Sequence, residues 1–315
     1  MTMNKEFPRV SVIMNCLNGQ EYLREAIDSV YAQTYGSWEI VFWDNASTDG
    51  SADIARGYDG RLRYFRNPLT EPLGKARNRA IKASRGEFIA FLDCDDLWMA
   101  EKLERQVPLF DRDPGVGLVY SDTVFFNSRG DERRIYEKDK PPKGRIFSEL
   151  LTDYFLSMET VILRRKALEG LGEWFDERLS MNEEADLFTR IAHGWEADYV
   201  DEPLAKWRVH PGSLTWTKKE LFAVESQMVI EKYLRIFPGF EREYGEEVDR
   251  VRLRITKQRF MNQWEKGDTG LRGSLRGYIR KDPKALALYM ASFLPYRAAG
   301  KFIGYYRRYR GHVEP

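Results

Sequence analysis

Four apolar runs in the first third of the chain each end in a polar turn, and the segments between them carry helical spacing. Val10-Ser11-Val12-Ile13-Met14 comes first, then a turn at residues 15–19. Tyr22, Leu23, Ala26, Ile27, Val30 and Tyr31 follow at the intervals of one helix face. Glu39-Ile40-Val41-Phe42-Trp43 is the second run, and the turn at residues 44–50 opens a short helix. Leu62-Arg63-Tyr64-Phe65 is the third, followed by a helix over residues 75–83, and Phe88-Ile89-Ala90-Phe91-Leu92 is the fourth. Such alternation limits the fold to an α/β architecture with a mainly parallel sheet, open and covered on both faces. Ligands of these sheets gather beyond the carboxyl ends of the strands, where Asn15, Asp44, Asn45, Asp93 and Asp95 all fall.

The fourth run closes on Asp93-Cys94-Asp95-Asp96. Three carboxylates in four residues repel one another, so a fold that gathers them has a cation or a polyhydroxyl ligand to meet. Hard oxygen donors suit Mg²⁺ or Mn²⁺, ions that commonly complete their shell with substrate phosphates. The plain alternative is a solvated acidic turn or a helix N-cap. Composition narrows the field further. A net charge of +1 offers no bulk attraction for nucleic acid. Two cysteines, Cys16 and Cys94, both beside expected strand ends, cannot make a disulfide framework, which fits a reducing cytoplasmic setting. The first eight residues lack the apolar core of a signal peptide, and no run approaches the ~18 apolar residues of a membrane span. The chain is therefore expected to be neither secreted nor inserted.

Beyond Val116 the pattern is mixed. Gly117-Leu118-Val119-Tyr120, Val161-Ile162-Leu163 and Ala205-Lys206-Trp207-Arg208-Val209 read as strands, residues 127–143 as a polar hairpin or loop, and residues 185–192 as a helix. From Thr217 the spacing is helical, with Leu221, Val224, Met228 and Leu234 as one candidate apolar face. The expected division is a domain of residues 1–215 and a helical region of residues 216–315.

Taken in order, these blocks resemble the family-2 glycosyltransferases, inverting enzymes with the GT-A fold, a Rossmann-like nucleotide-diphospho-sugar transferase architecture. The likeness spans about residues 9–215. Val10 with the run to Asn18 is similar to the opening strand and nucleotide-binding turn, and Asp44-Asn45-Ala46-Ser47-Thr48-Asp49-Gly50 to the base-binding turn. Phe91-Leu92-Asp93-Cys94-Asp95-Asp96 resembles the DxD segment, Asn182-Glu183-Glu184-Ala185-Asp186 the acceptor-side acidic motif, and Trp207-Arg208-Val209-His210-Pro211 the later His loop. The resemblance implies a metal-dependent transfer from a nucleotide-sugar to a glycan or lipid-linked acceptor. Asp95 and His210 would serve the Mn²⁺ or Mg²⁺, and Asp93 the ribose. Glu184 would be the general base, with Glu183 the fallback because many relatives carry Asp at that position. Asn15, Leu17, Asn18, Asp44, Asn45 and Arg77 would complete the donor site. Leu17 stands where uridine-binding relatives often stack an aromatic ring, and Asn45 where they often have a second Asp. The base is thus open between uridine, thymidine and guanosine. Arg77 also reads as a helix-surface ion pair, and His210 as a hydrogen-bonded surface residue.

Two other classes compete. A haloacid-dehalogenase-like phosphohydrolase also uses a strand-borne Asp-x-Asp, but Leu97 stands where that class has a small hydroxyl residue. A non-catalytic sugar-nucleotide-binding protein is the other. A dinucleotide oxidoreductase is excluded, since residues 15–19 lack Gly-x-Gly-x-x-Gly. In the tail, residues 283–313 contain no Asp or Glu, while Lys284, Arg297, Lys301, Arg307, Arg308 and Arg310 interleave with Leu286, Met290, Phe293, Leu294, Phe302 and tyrosines. Pro295 splits the run, so two short amphipathic helices are expected, either on an anionic membrane surface or packed on protein, including a second subunit. The first choice makes the chain peripheral on the inner face of the membrane.

Overall fold

The computed structural model describes residues 7–137, 140–212, 218 and 220–299. Contacts divide the chain into two compact units that meet in sequence between His210 and Pro211. The expected boundary at residue 215 falls outside the described residues.

In the first unit the four early runs form β1 (Val10–Cys16), β2 (Trp38–Asp44), β3 (Leu62–Arg66) and β4 (Phe88–Phe91). They pair parallel in the order β3-β2-β1-β4. The sheet continues through β8 (Ile162–Arg164), which is antiparallel to both neighbours, then β6 (Val116–Phe126), β9 (Glu196–Arg208) and the two-residue β5 (Leu97–Trp98). The expected hairpin after residue 127 contains β7 (Glu132–Arg134), paired with β6. Both β6 and β9 outrun the apolar segments that announced them: β6 continues through the buried polar Ser121, Asp122 and Thr123, and β9 begins in the polar, partly solvated stretch from Glu196.

Strand alternation decides which helix lies on which face. Val10, Val12, Met14 and Cys16 face one way, onto Leu23, Ala26, Ile27 and Val30 of α1 (Leu23–Tyr31) and onto Leu103, Val107 and Phe110 of α4 (Lys102–Arg112). Ala55 of α2 (Ser51–Arg56) joins that face. Ile13, Val41, Ile89 and Phe91 face the other way. They meet α3 (Leu73–Ala83), α5 (Phe147–Thr152), α6 (Arg165–Glu169) and α7 (Glu183–Gly194). A sheet buried on both faces explains why its strands read as nearly unbroken apolar runs. Gly74 lets α3 sit close: a Cβ there would lie 3.3 Å from the carbonyl oxygen of Asp176 and 3.4 Å from Phe175 Cβ. The result places α3 and α7 together over the strand ends.

The second unit contains the helices Leu221–Ile236 and Gly245–Glu265, packed on each other, and the helix Pro283–Ala291. The expected apolar face is corrected. Val224 is half-exposed, and Ala223, Ile230 and Tyr233 are buried instead, because the neighbouring helix covers a face rotated by one position. Phe260, Trp264, Leu275 and Ala299 form a buried cluster against which Leu288, Tyr289 and Tyr296 pack. Asp282 caps the last helix by accepting from the N–H groups of Lys284 and Ala285. Among the described residues, no helix is long and apolar enough to cross a membrane.

Candidate active site

The turns after β1 and β2 are braced together before any ligand is considered. Asn45 N–H donates to Cys16 O at 2.8 Å, and Asn18, with φ of 57°, accepts from Thr48 N–H at 2.8 Å through its side chain. Asp44 is fully buried, where an unpaired carboxylate would be costly. It is paired instead: Ser47 N–H donates at 2.7 Å, Arg66 Nη1 at 3.0 Å, and the Tyr64 hydroxyl as well. The Asn45 amide donates to Glu71 O at 2.8 Å and accepts from Glu71 N–H at 3.0 Å and Asn67 Nδ2 at 2.9 Å. Asp44, Asn45 and Asn18 therefore hold the shape of the crevice rim. Leu17 stands 48% exposed at its edge.

Asn15 differs from its neighbours. It is 7% exposed, and neither its Nδ2 nor its Oδ1 has a partner. Trp43, its register partner on β2, likewise has a buried, unpartnered Nε1. An unsatisfied buried polar group costs about 1–3 kcal/mol, so three such atoms on adjacent strands are a local concentration of unmet hydrogen-bonding capacity. Trp43 was missed at the sequence level, where it reads only as the last apolar residue of a strand.

The acidic turn follows Phe91, and each of its carboxylates has a distinct partner. Asp93 Oδ1 accepts from Arg77 Nη2 at 2.9 Å, while the same guanidinium donates through Nη1 to Glu183 Oε1 at 2.8 Å. Arg77 is buried in α3, and Glu183 opens α7 on the same sheet face. Asp95 Oδ2 lies 2.9 Å from His210 Nε2, and that bond raises the imidazole above its ordinary value despite partial burial. Asp96 is buried and accepts from Arg208 N–H at 2.8 Å. Burial first, then the charges of Asp95 and Glu159, push its carboxyl well above the usual range. Glu159, also overlooked in sequence, is a buried carboxylate whose two oxygens share the Ser157 hydroxyl, at 2.7 and 2.8 Å.

Asp95 and His210 are the residues here whose donor atoms could hold a divalent ion. Donor atoms on neighbouring corners of an octahedron with Mg²⁺-length bonds stand about 3 Å apart, close to their observed separation. Among the described residues, no group of three or more His, Cys, Asp or Glu could hold a metal. An ion here would therefore take the rest of its shell from ligand oxygens and water.

Glu183 and Glu184 sit side by side but do different things. Glu183 is buried and committed to Arg77. Glu184 has no hydrogen-bond or ion-pair partner from another described residue. Burial, and next the charge of Glu183, push its carboxyl up to about 8. Nearby, the Tyr154 hydroxyl is buried without a partner; desolvation, then the Glu184 charge, raises its ionisation well above the ordinary value.

Residues 11–172 match the family model for Glycosyl transferase family 2. The chain belongs to glycosyl transferase family 2. An uncharacterized glycosyltransferase of Methanocaldococcus jannaschii, MJ1057, is 31% identical over 64% of this chain and 71% of its own length. The Escherichia coli UDP-Glc:alpha-D-GlcNAc-diphosphoundecaprenol beta-1,3-glucosyltransferase WfgD is 32% identical over 50% of this chain and 61% of its own. Among solved structures, the Pyrobaculum calidifontis mannosyltransferase PcManGT, in complex with GDP-Man and Mn²⁺, superposes with a TM-score of 0.64 at 21% identity, covering 97% of this chain and 83% of that one. The fold is GT-A with a helical C-terminal region, and this family-2 member is a glycosyltransferase acting on nucleotide-sugar donors. Membership sets aside both the phosphohydrolase and the non-catalytic alternatives.

Proposed function

We propose that this enzyme moves a sugar, with inversion at the anomeric carbon, from a nucleoside-diphosphate-sugar to a hydroxyl of a glycan carried on a lipid diphosphate. The Arg77 fork carries the proposal. One guanidinium ties Asp93 of the acidic turn to Glu183 at the head of α7, so the donor carboxylates and Glu184 form one preorganised cluster. Asp93 meets the ribose, and Asn15 with Trp43 offers its unpaired donors and acceptor to the base. Glu184 takes the acceptor's proton, its raised basicity matched to that task near neutral pH. Asp95 and His210 would hold a Mn²⁺ or Mg²⁺, which when bound would supply Lewis-acid neutralisation of the diphosphate leaving group. The lipid-linked acceptor rests on the printed specificity of WfgD.

A screen of UDP-, dTDP- and GDP-sugars in Mn²⁺, read as nucleoside diphosphate released, identifies the donor. Asn15→Ala is expected to raise the KM for that donor about tenfold, the effect of one lost hydrogen bond to a buried partner. An unchanged KM would remove Asn15 from the site. A product with the donor's anomeric configuration retained would falsify the mechanism.

A second reading concerns the C-terminal helices. Leu286, Met290, Phe293 and Leu294 are 43%, 61%, 59% and 56% exposed at helical spacing, beside the packed Leu288, Tyr289 and Tyr296. We infer that this stripe lies in the interface of an anionic membrane, cytoplasmic in orientation, where it keeps the enzyme beside a lipid-linked acceptor. The expected contributions of Lys301, Phe302, Arg307, Arg308 and Arg310 lie outside the described residues. The intact chain is expected to pellet with anionic vesicles, less so in high salt, and the Met290→Glu/Phe293→Glu double variant to stay in the supernatant. A wild-type chain that fails to pellet at low salt removes the membrane role and leaves the stripe to a subunit contact.

A further inference from the structure

The only two cysteines of the chain, far apart in sequence, meet beside the acidic turn. Cys16 ends β1, and Cys94 lies between Asp93 and Asp95. Strands β1 and β4 are parallel neighbours with Ile13 opposite Phe91, and Leu92 N–H still donates to Ile13 O at 3.1 Å. β4 ends at Phe91, and Cys94 follows in the turn that closes with Asp96 N–H donating to Asp93 O at 3.2 Å, beside the Cys16 end of β1. The sulfurs converge: a Cβ on Gly19 would lie 2.6 Å from Cys94 Sγ and 3.0 Å from Cys16 Sγ. Both thiols are free, Cys94 partly exposed and Cys16 buried.

We propose that Cys16 and Cys94 form a reversible intramolecular disulfide that shuts the donor crevice. The oxidant is a low-molecular-weight disulfide, RSSR. Cys94, the more accessible of the two, once deprotonated attacks one sulfur of RSSR and releases RS⁻, leaving a mixed disulfide on Cys94. The Cys16 thiolate then attacks Cys94 Sγ and expels the second RS⁻. Two protein thiols and RSSR become one protein disulfide and two RSH, with the protons of Cys94 and Cys16 carried away on the leaving thiols. Closing the bond to about 2.05 Å pulls the acidic turn onto the end of β1. Asp93 and Asp95 flank the cysteine that moves, and a displacement near 1 Å at reacting groups can cost about 10²-fold in rate. Reduction reopens the crevice.

The closing of the crevice rests on the assignment of Asp93 and Asp95 to the donor; formation of the bond does not. The full chain is equilibrated in glutathione buffers of increasing oxidised fraction, and free thiols, intact mass and transfer rate are read together. Expected is the loss of both thiols with a product lighter by two hydrogens. A fall in rate of about 10²-fold should accompany it, and dithiothreitol should reverse both. In Cys16→Ser and Cys94→Ala the ratio of oxidised to reduced rate should return to near one. Two thiols still titrating in the most oxidising buffer overturn the bond, as does a glutathione adduct on Cys94 that never resolves. A bond that forms with the rate unchanged overturns the closing. The thiol count is independent of which residues bind the donor, so it decides the disulfide even if Asp95→Asn proves fully active.

Discussion

Glu184→Gln is expected to lower kcat by about 10²–10⁴-fold, the usual weight of a general base, with the donor's KM unchanged. The amide keeps the shape and loses the proton acceptor. The pH dependence carries the finer signature. Burial and the neighbouring Glu183 disfavour the Glu184 carboxylate, so its pKa rises from 4.5 to about 8. The base is then largely protonated below that value, and kcat/KM should climb about tenfold per pH unit up to a limb near 8. In Glu184→Gln the limb disappears. Stability moves the other way. Between 4.5 and about 8 the folded chain holds a proton that the unfolded chain has released, so this group's contribution falls as pH rises through that window. The glutamine variant should lose that decline and melt higher than wild type above pH 8. Glu183→Gln behaves differently: it breaks a buried pair with Arg77 and is expected to cost about 3–5 kcal/mol of stability. An acidic limb at pH 4–5, or an active Glu184→Gln beside a folded but dead Glu183→Gln, would move the base by one residue.

Removing the metal or its carboxylate should have an effect of similar size. EDTA is expected to abolish transfer and Mn²⁺ to restore it, since the departing diphosphate otherwise develops charge without a counterion. Asp95→Asn keeps the hydrogen bond to His210 within reach but removes the one negative charge of the Asp95–His210 pair. Its kcat should fall by at least about 10²-fold, with weaker donor binding in Mn²⁺ and a melting temperature close to wild type. His210→Ala removes a single neutral ligand and should do less, with excess Mn²⁺ recovering part of the loss. Full wild-type activity in EDTA would end the metal assignment for both residues.

The sequence by itself determined the fold and which polar strand ends share one edge of the sheet. Nearly unbroken apolar runs ending in polar turns specify strands buried on both faces, and parallel strands carry their polar ends to one edge. Asp93, Asp95, Asn15 and the turn after β2 were therefore legible as one neighbourhood without any coordinates. Local pattern reports which way a side chain points, but not what covers it. Arg77 and Glu183 are 106 residues apart, and they meet only because α3 and α7 pack on the same sheet face. That pairing separates Glu183, held in a buried ion pair, from Glu184, left free; adjacent identical residues carry no such distinction in sequence. Asp44 and Asn45 looked alike as ligand groups with Asn15, yet tertiary contacts from Arg66, Tyr64 and Glu71 commit the first two to the fold. Asn15 and Trp43 are register partners on β1 and β2, and their unmet hydrogen-bonding capacity shows only once the strands are paired. The two thiols read from sequence as unrelated strand-end residues. The turn after β4, folded beside the end of β1 in the assembled sheet, is what brings them together.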